Sequence, residues 1–243
     1  MTESRPDPQT AFALDTARAL AAVAHPGREL ESRSGFEPAP ENLQARADEI
    51  ADDLGIADLD LLVWEQPLAD ALVFGDRSQG ILVLTTGLVD LLDDDALDAA
   101  MAHEMGHIRH GHVRRFGAAV LAVTGVLLVL ARGAGPAQSK LGRGLVTTTA
   151  TIFGTLLLLA LVRRYERAAD EAAVEHLDDP AELARALLAV RTGDPDADPR
   201  SYEPSETSAV ERLLTPYPLS DERLPRLLDV STNQPSDRNP GNN

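Results

Sequence analysis

Two uncharged apolar runs do most to limit what this chain can fold into: FGAAVLAVTGVLLVLA at 116 to 131 and GLVTTTATIFGTLLLLALV at 144 to 162. A helix rises about 1.5 Å per residue, so the second run is long enough to cross a hydrocarbon core of about 30 Å. The first, at sixteen residues, needs neighbours or local thinning of the bilayer. The linker between them, RGAGPAQSKLGR, is rich in glycine and small residues, and the pair is expected to form a helical hairpin through a membrane. Two buried core helices of a soluble protein are the alternative. Leu, Val and Gly packed together without polar periodicity, in a chain otherwise so acidic, favour spanning. Arg109, Arg114 and Arg115 flank one end of the pair and Arg163, Arg164 and Arg167 the other, against Arg132, Lys140 and Arg143 in the linker. The outer flanks are therefore expected in the cytoplasm, in a multi-pass protein of the cell membrane.

The other 200 or so residues have a different character. The chain has 243 residues, with 39 acidic against 22 basic and a formal net charge of -17, so a nucleic-acid partner is not expected. Lys140 is the sole lysine and aspartate outnumbers glutamate, a balance expected of a protein from a salt-loving organism. There is no cysteine, so a metal would have to be held by His, Asp and Glu. The opening residues, MTESRPDPQT, are polar and not followed by a long apolar run, so no signal peptide is expected.

Punctuation by Gly and Pro divides the rest. Residues 1 to 40 read as a short amphipathic helix (11 to 24) and a linker, and ENLQARADEIADDL at 41 to 54 as a helix closed by Gly55. Short runs at 59 to 64, 71 to 74 and 81 to 85 read as strands of a small antiparallel sheet, a hairpin with a neighbour. A helix TGLVDLLD comes next, and Asp93 to Asp95 cap a helix over 95 to 112. Beyond 165 a helix runs to about 177, and Pro180 opens another to 191. An acidic loop at 192 to 206, a short helix at 207 to 214 and a polar tail from 231 complete the chain. The expected architecture is α+β and mainly helical. Parts 41 to 112 and 165 to 230 make one zincin-type domain, the hairpin 113 to 164 is inserted between them, and a tail covers 231 to 243.

The chemistry starts at HEMGH, residues 103 to 107. Helix positions four apart differ by about 40 degrees, so His103 and His107 share a face and can chelate one ion. Glu104, rotated by about 100 degrees, is placed to touch a water on that ion. Sixty residues later, in RRYERAADEAAVEHL, Glu166 and Asp170 are again four apart. One could bind metal while the other receives an imidazole N–H, although both could equally be solvated helix charges. His110 and His112 fall at offsets that do not fit the motif face and read as interfacial or helix-end residues.

The ordered set of an apolar strand, TTGL, AHEMGH, two apolar segments, ERAAD and TPYPLSDERLPRLL resembles the membrane zinc peptidases of the M48 family, of HtpX and Ste24 type, over roughly residues 43 to 230. The resemblance implies one zinc held by His103, His107 and Glu166, with Glu104 as general base, Asp170 orienting a ligand histidine, and Arg223 near the active site. Two departures stand out. Tyr217 occupies the place of a histidine in the family's late segment, and the usual N-terminal pair of membrane helices has no counterpart. Arg223, Tyr217 and His176 are the candidates for stabilising an oxyanion.

The expected activity is a membrane-embedded zinc endopeptidase, with membrane-associated or misfolded proteins as substrates and the lipid bilayer as partner. Zinc acidifies a water, Glu104 takes its proton, and no covalent intermediate is needed. Glu166 lies four residues past the second apolar run, about 6 Å along a helix, and His107 nine before the first, about 13 Å, so the site should lie near the bilayer surface. An edge strand at 71 to 75 or 81 to 85 is expected to take an extended peptide. A catalytically weak scaffold of the same fold, and a soluble metal-binding protein, are the competing functions.

Overall fold

The computed structural model describes residues 35 to 133, 140 to 202 and 220 to 233. The expected helices at 11 to 24 and 207 to 214, Tyr217, and most of the terminal tail lie outside these residues, as does part of the acidic loop.

The chain enters through strand β1 (Phe36–Pro38), within the stretch expected to be a linker. Helix α1 (Glu41–Leu54) then buries Leu43, Ala47, Ile50 and Leu54 on one stripe. It ends at Gly55, whose φ of 68° is the left-handed conformation that a helix C-terminus favours in glycine. Strands β2 (Leu59–Trp64), β3 (Ala71–Asp76) and β4 (Gln79–Thr85) follow. Their order in the sheet is β1-β2-β4-β3.

The sheet is mixed. β1 pairs antiparallel with β2, and β3 with β4, but β2 and β4 run parallel, from Leu59↔Gly80 to Trp64↔Thr85. Residues 65 to 70 carry the chain out to the far edge, so β4 returns between β2 and β3 in the same direction as β2. β4 is therefore a central strand, so of the two stretches expected to offer an edge 71 to 75 does and 81 to 85 does not; among the described residues β3 forms one edge of the sheet and the three-residue β1 the other. Side chains alternate across the sheet as the pleat requires. Leu59, Leu61, Leu82 and Leu84 join the helical core, while Leu62, Ile81 and Val83 face the other way beneath Phe36, Trp64, Leu72 and Phe74.

Thr85 and Thr86 fasten the crossing segment at the end of β4. The Thr85 hydroxyl accepts from Asp70 N–H at 2.9 Å and donates to Asp70 C=O at 2.9 Å, and Thr86 does the same with Gln66 at 3.1 and 2.8 Å. Gly87 is needed beneath this crossing, because a Cβ there would come within 2.3 Å of the Pro67 carbonyl oxygen. Thr85 also caps helix α2 (Thr86–Leu91) by accepting from Leu88 N–H.

Helix α3 (Asp94–Arg109) is the centre of the core, capped by the Asp93 side chain on Ala96 N–H. It buries Met101, Ala102, Met105 and Ile108. The helix expected to run to 112 stops at His110, and Gly111, with φ 60°, turns the chain before helix α4 (His112–Gly133) begins. Helix α5 (Lys140–His176) is unbroken over 37 residues, α6 (Ala181–Thr192) packs on α3, and α7 (Ser220–Asn233) packs on α6.

α4 and α5 contain the two apolar runs and are long and apolar enough to cross a membrane. They are not core helices: Val129 is 69% exposed and Phe153 70% exposed, with Leu121, Leu145 and Ile152 also open. A buried hairpin would have hidden these side chains. Two hydroxyls within the second run are satisfied inside the helix, Thr147 on Gly144 C=O and Thr151 on Thr147 C=O. The two helices touch where Gly154 meets Val123, at 2.7 Å from where a Cβ would stand.

Candidate active site

Close approach of α3 and α5 brings together residues sixty positions apart. Gly106 faces the backbone of Ala169, and a Cβ on it would lie 2.9 Å from the Ala169 Cα. This contact, one residue before His107 and one before Asp170, draws the two ligand-bearing faces together.

His103 Nε2 lies 3.5 Å from Glu166 Oε2, and His107 Nε2 lies 3.5 Å from Glu166 Oε1. Two imidazoles thus converge on the two oxygens of one carboxylate, and one atom from each residue can be chosen so that all lie within 4.8 Å. His103 and Glu166 are buried and His107 is half-buried, so the cluster opens on one side. The opposite nitrogen of His103 is held by Asp170, Nδ1 to Oδ1 at 3.0 Å, which leaves Nε2 aimed at Glu166.

Arg223, from α7, closes the back of the site. Its guanidinium donates to both oxygens of Asp170, at 3.1 and 2.6 Å, and to Glu166 Oε2 at 3.2 Å. With these donors directed at the two carboxylates it is placed to hold them. His176, another oxyanion candidate, pairs with Asp53 at 2.9 Å. It is ten residues past Glu166, roughly 15 Å along the helix, and is not brought to the site.

One residue set aside in the sequence is here. His112 is 4% exposed, with Nδ1 3.0 Å from the Nδ1 of His107. On a continuous helix five positions place it about 140 degrees from His107, and the turn at Gly111 brings it back. Gly111, between His110 and His112, was the available signal, since glycine marks helix C-termini. His110 is partly exposed and stacks on His112 with ring centroids 5.3 Å apart.

The charges follow from burial and partners. Burial disfavours an imidazolium at His103, but the bonds with Asp170 and Glu166 outweigh it and raise its pKa to about 9. A proton on its Nε2 occupies the place beside Glu166 where a cation would sit. For His107 burial prevails and lowers the pKa to about 4. Burial raises Glu104 to about 7, against the attraction of His103 and with repulsion from Glu166 and from Asp70 at the start of β3. A carboxyl in that range is suited to moving protons near neutrality.

Comparison with known proteins agrees with this geometry. A model of Peptidase family M48 matches residues 39–231. The chain belongs to peptidase family M48. Two relatives are described as Protease HtpX homolog. The one from Halobacterium salinarum is 23% identical over 76% of each chain. The one from Acidiphilium cryptum is 28% identical over 82% of this chain and 80% of its own. Among solved structures, Ste24p of S. mikatae shares the fold, with a TM-score of 0.61 at 18% identity over 88% of this chain. The chain spans 56% of that protein's length. The family is one of peptidases, and the cluster of His103, His107 and Glu166 could hold its metal.

Proposed function

We propose that this M48 protein is a membrane-embedded, zinc-dependent endopeptidase, acting at the cytoplasmic side on membrane-associated or misfolded proteins. The observation that carries the reading is the convergence of His103 Nε2 and His107 Nε2 on the two oxygens of Glu166, with Glu104 beside them.

The donor set fits zinc. Zinc takes His nitrogen and carboxylate oxygen at about 2.0 to 2.2 Å in tetrahedral geometry, which sets neighbouring ligand atoms roughly 3.3 Å apart. The observed N···O separations of 3.5 Å are close to that spacing. Three protein ligands leave a fourth position, as in catalytic rather than structural zinc sites. Zinc held there supplies a Lewis acid that acidifies water and polarises a peptide carbonyl.

The remaining chemistry belongs to the chain. Glu104 takes the proton of the attacking water and returns it to the leaving amine, with no covalent bond to the protein. Asp170 fixes the tautomer of His103. Arg223 balances the charge of Asp170 and Glu166, two carboxylates whose mutual repulsion would otherwise open the site. β3 lies at an edge of the sheet among the described residues, and Asp70 just before it lies close enough to Glu104 to be felt electrostatically, so a peptide added to this edge would run past the general base. Exposure of α4 and α5 supports the membrane location, and Glu166 follows directly on the lipid-facing part of α5, which favours substrates that emerge from the bilayer.

The test compares wild type with Glu104→Gln, purified in detergent and high salt with zinc, on an unfolded protein. Cleavage by wild type with a loss of at least 100-fold in the variant is expected, the usual scale of general-base removal. Equal rates would leave a scaffold of the same fold as the better reading.

A further inference from the structure

The two ligand histidines each use one ring nitrogen toward Glu166 and the other toward a partner. For His103 the partner is Asp170, on α5. For His107 it is His112, the first residue of the membrane hairpin. We propose that His112 is a positioning residue of the metal site: it accepts the Nδ1 proton of His107 and so fixes the tautomer that leaves His107 Nε2 free to bind zinc. This rests on the zinc reading above.

The assignment follows from counting protons. At 3.0 Å the two Nδ1 atoms share one hydrogen, so one ring donates and the other accepts. His107 Nε2 faces Glu166 Oε1 at 3.5 Å and must carry a lone pair to ligate. Neutral His107 therefore has its hydrogen on Nδ1, and His112 must be the acceptor, with its own hydrogen on Nε2. The reverse arrangement puts a hydrogen on His107 Nε2 and closes the site.

His112 is also held in place. It stacks nearly parallel on Tyr165, with ring centroids 4.2 Å apart and planes 16° from one another. Tyr165 immediately precedes Glu166 on α5, so the ring that supports one ligand packs beside the next. A neutral acceptor suits this position: Glu104, Glu166 and Asp170 already bring three carboxyl groups, and a fourth carboxylate would repel them.

The test measures zinc affinity of the full-length protein in detergent, by competition with a chromophoric chelator, for wild type, His112→Phe and His112→Asn. Phenylalanine keeps a ring against Tyr165 without an acceptor; asparagine places an oxygen near the lost Nδ1. We expect the Phe variant to bind zinc roughly 10- to 100-fold more weakly, and Asn to recover most of that loss. Two-bond 1H–15N spectra of the zinc-loaded wild type should show His107 protonated at Nδ1 and His112 at Nε2. Zinc affinity of the Phe variant within twofold of wild type, or the opposite tautomers, overturns the proposal. If the Phe variant does not fold, the Asn affinity and the spectra decide alone. Wild type that binds no stoichiometric zinc sinks the zinc reading itself, a result distinct from either variant's.

Discussion

Replacing Gly106 by alanine sets two effects of opposite sign against each other. Alanine is the better helix former by about 0.8 to 1 kcal/mol, and on propensity alone the variant should be more stable. Packing predicts the reverse. The new methyl would lie 2.9 Å from Ala169 Cα, 3.0 Å from its carbonyl oxygen and 3.2 Å from Ala172 Cβ. Ordinary carbon contacts lie at about 3.5 to 4.0 Å, so α3 and α5 must part by roughly 0.5 to 1 Å. Two of the three close atoms are backbone and cannot turn aside. Such overpacking costs about 1 to 3 kcal/mol. Because His103 and His107 stand on one helix and Glu166 on the other, the separation opens the ligand set directly. If the strain appears as lost zinc binding, affinity falls roughly 5- to 150-fold. Chelator competition in detergent measures this, with Gly125→Ala as the control, since a Cβ on Gly125 meets nothing within 4 Å. Gly106→Ala with unchanged zinc affinity would refute the idea that this contact sets the ligand spacing.

Two further outcomes can be checked. With a pKa raised to about 9, His103 is protonated in the metal-free protein at pH 7.5 and its charge stabilises the fold below the unfolded value of 6.5. That contribution is lost as pH rises through about 9. Zinc must displace the Nε2 proton, so calorimetry in buffers of different ionisation enthalpy should find about one proton released per zinc near pH 7.5. No release would mean that His103 is neutral before metal binds. The second concerns β3. Thr85 N–H donates to Asp70 C=O, which sets the alternation so that residues 72 and 74 bond to β4 while Val73 turns its N–H toward the free edge. Val73→Pro should keep the fold, as proline does on edge strands, and reduce peptide cleavage about tenfold, one edge hydrogen bond being worth roughly 1 to 1.5 kcal/mol. Val83→Pro, in the central strand, should unfold the sheet; full turnover by a folded Val73→Pro protein would count against strand docking.

What could be read in advance was local. Helix α1, with Leu43, Ala47, Ile50 and Leu54 on one stripe and Gly55 after them, has its period and its stop in consecutive residues. The same holds for His103 and His107, whose relation is a matter of helix geometry. Glu166 is different. It lies 63 positions after His103, and only resemblance to a known family pointed to it, because nothing in the residues between states that α3 and α5 will touch. That contact depends on Gly106 meeting Ala169, two small residues unremarkable in a sequence dense with glycine and alanine. The order of strands was hidden for the same reason: each run shows its own pleat, but not that β4 will return between β2 and β3. His112 was misread because the helix was continued through Gly111, and with the helix unbroken its ring points away.

The two halves of the site also explain why an apolar hairpin is inserted between them. α5 carries the second apolar run and, without a break, Tyr165, Glu166 and Asp170. α4 begins with His112 itself. Each helix of the hairpin therefore delivers a group to the cluster, and the hairpin crosses itself at Gly154 and Val123, twelve residues before Glu166 and roughly 18 Å along a rigid helix. Asp76, at the tip of the β3–β4 hairpin, reaches Arg114 in the first turn of α4 at 2.7 Å, and Arg77 donates to the Arg109 carbonyl at 2.6 Å. The edge strand proposed to receive substrate is thus tied to the same junction as the ligands. An anchor alone would need none of these connections. A hairpin that also sets the relative position of His107, Glu166 and β3 needs all of them, and under the proposed membrane location the exposed apolar side chains of α4 and α5 hold the geometry of the cluster as well as the protein in the bilayer.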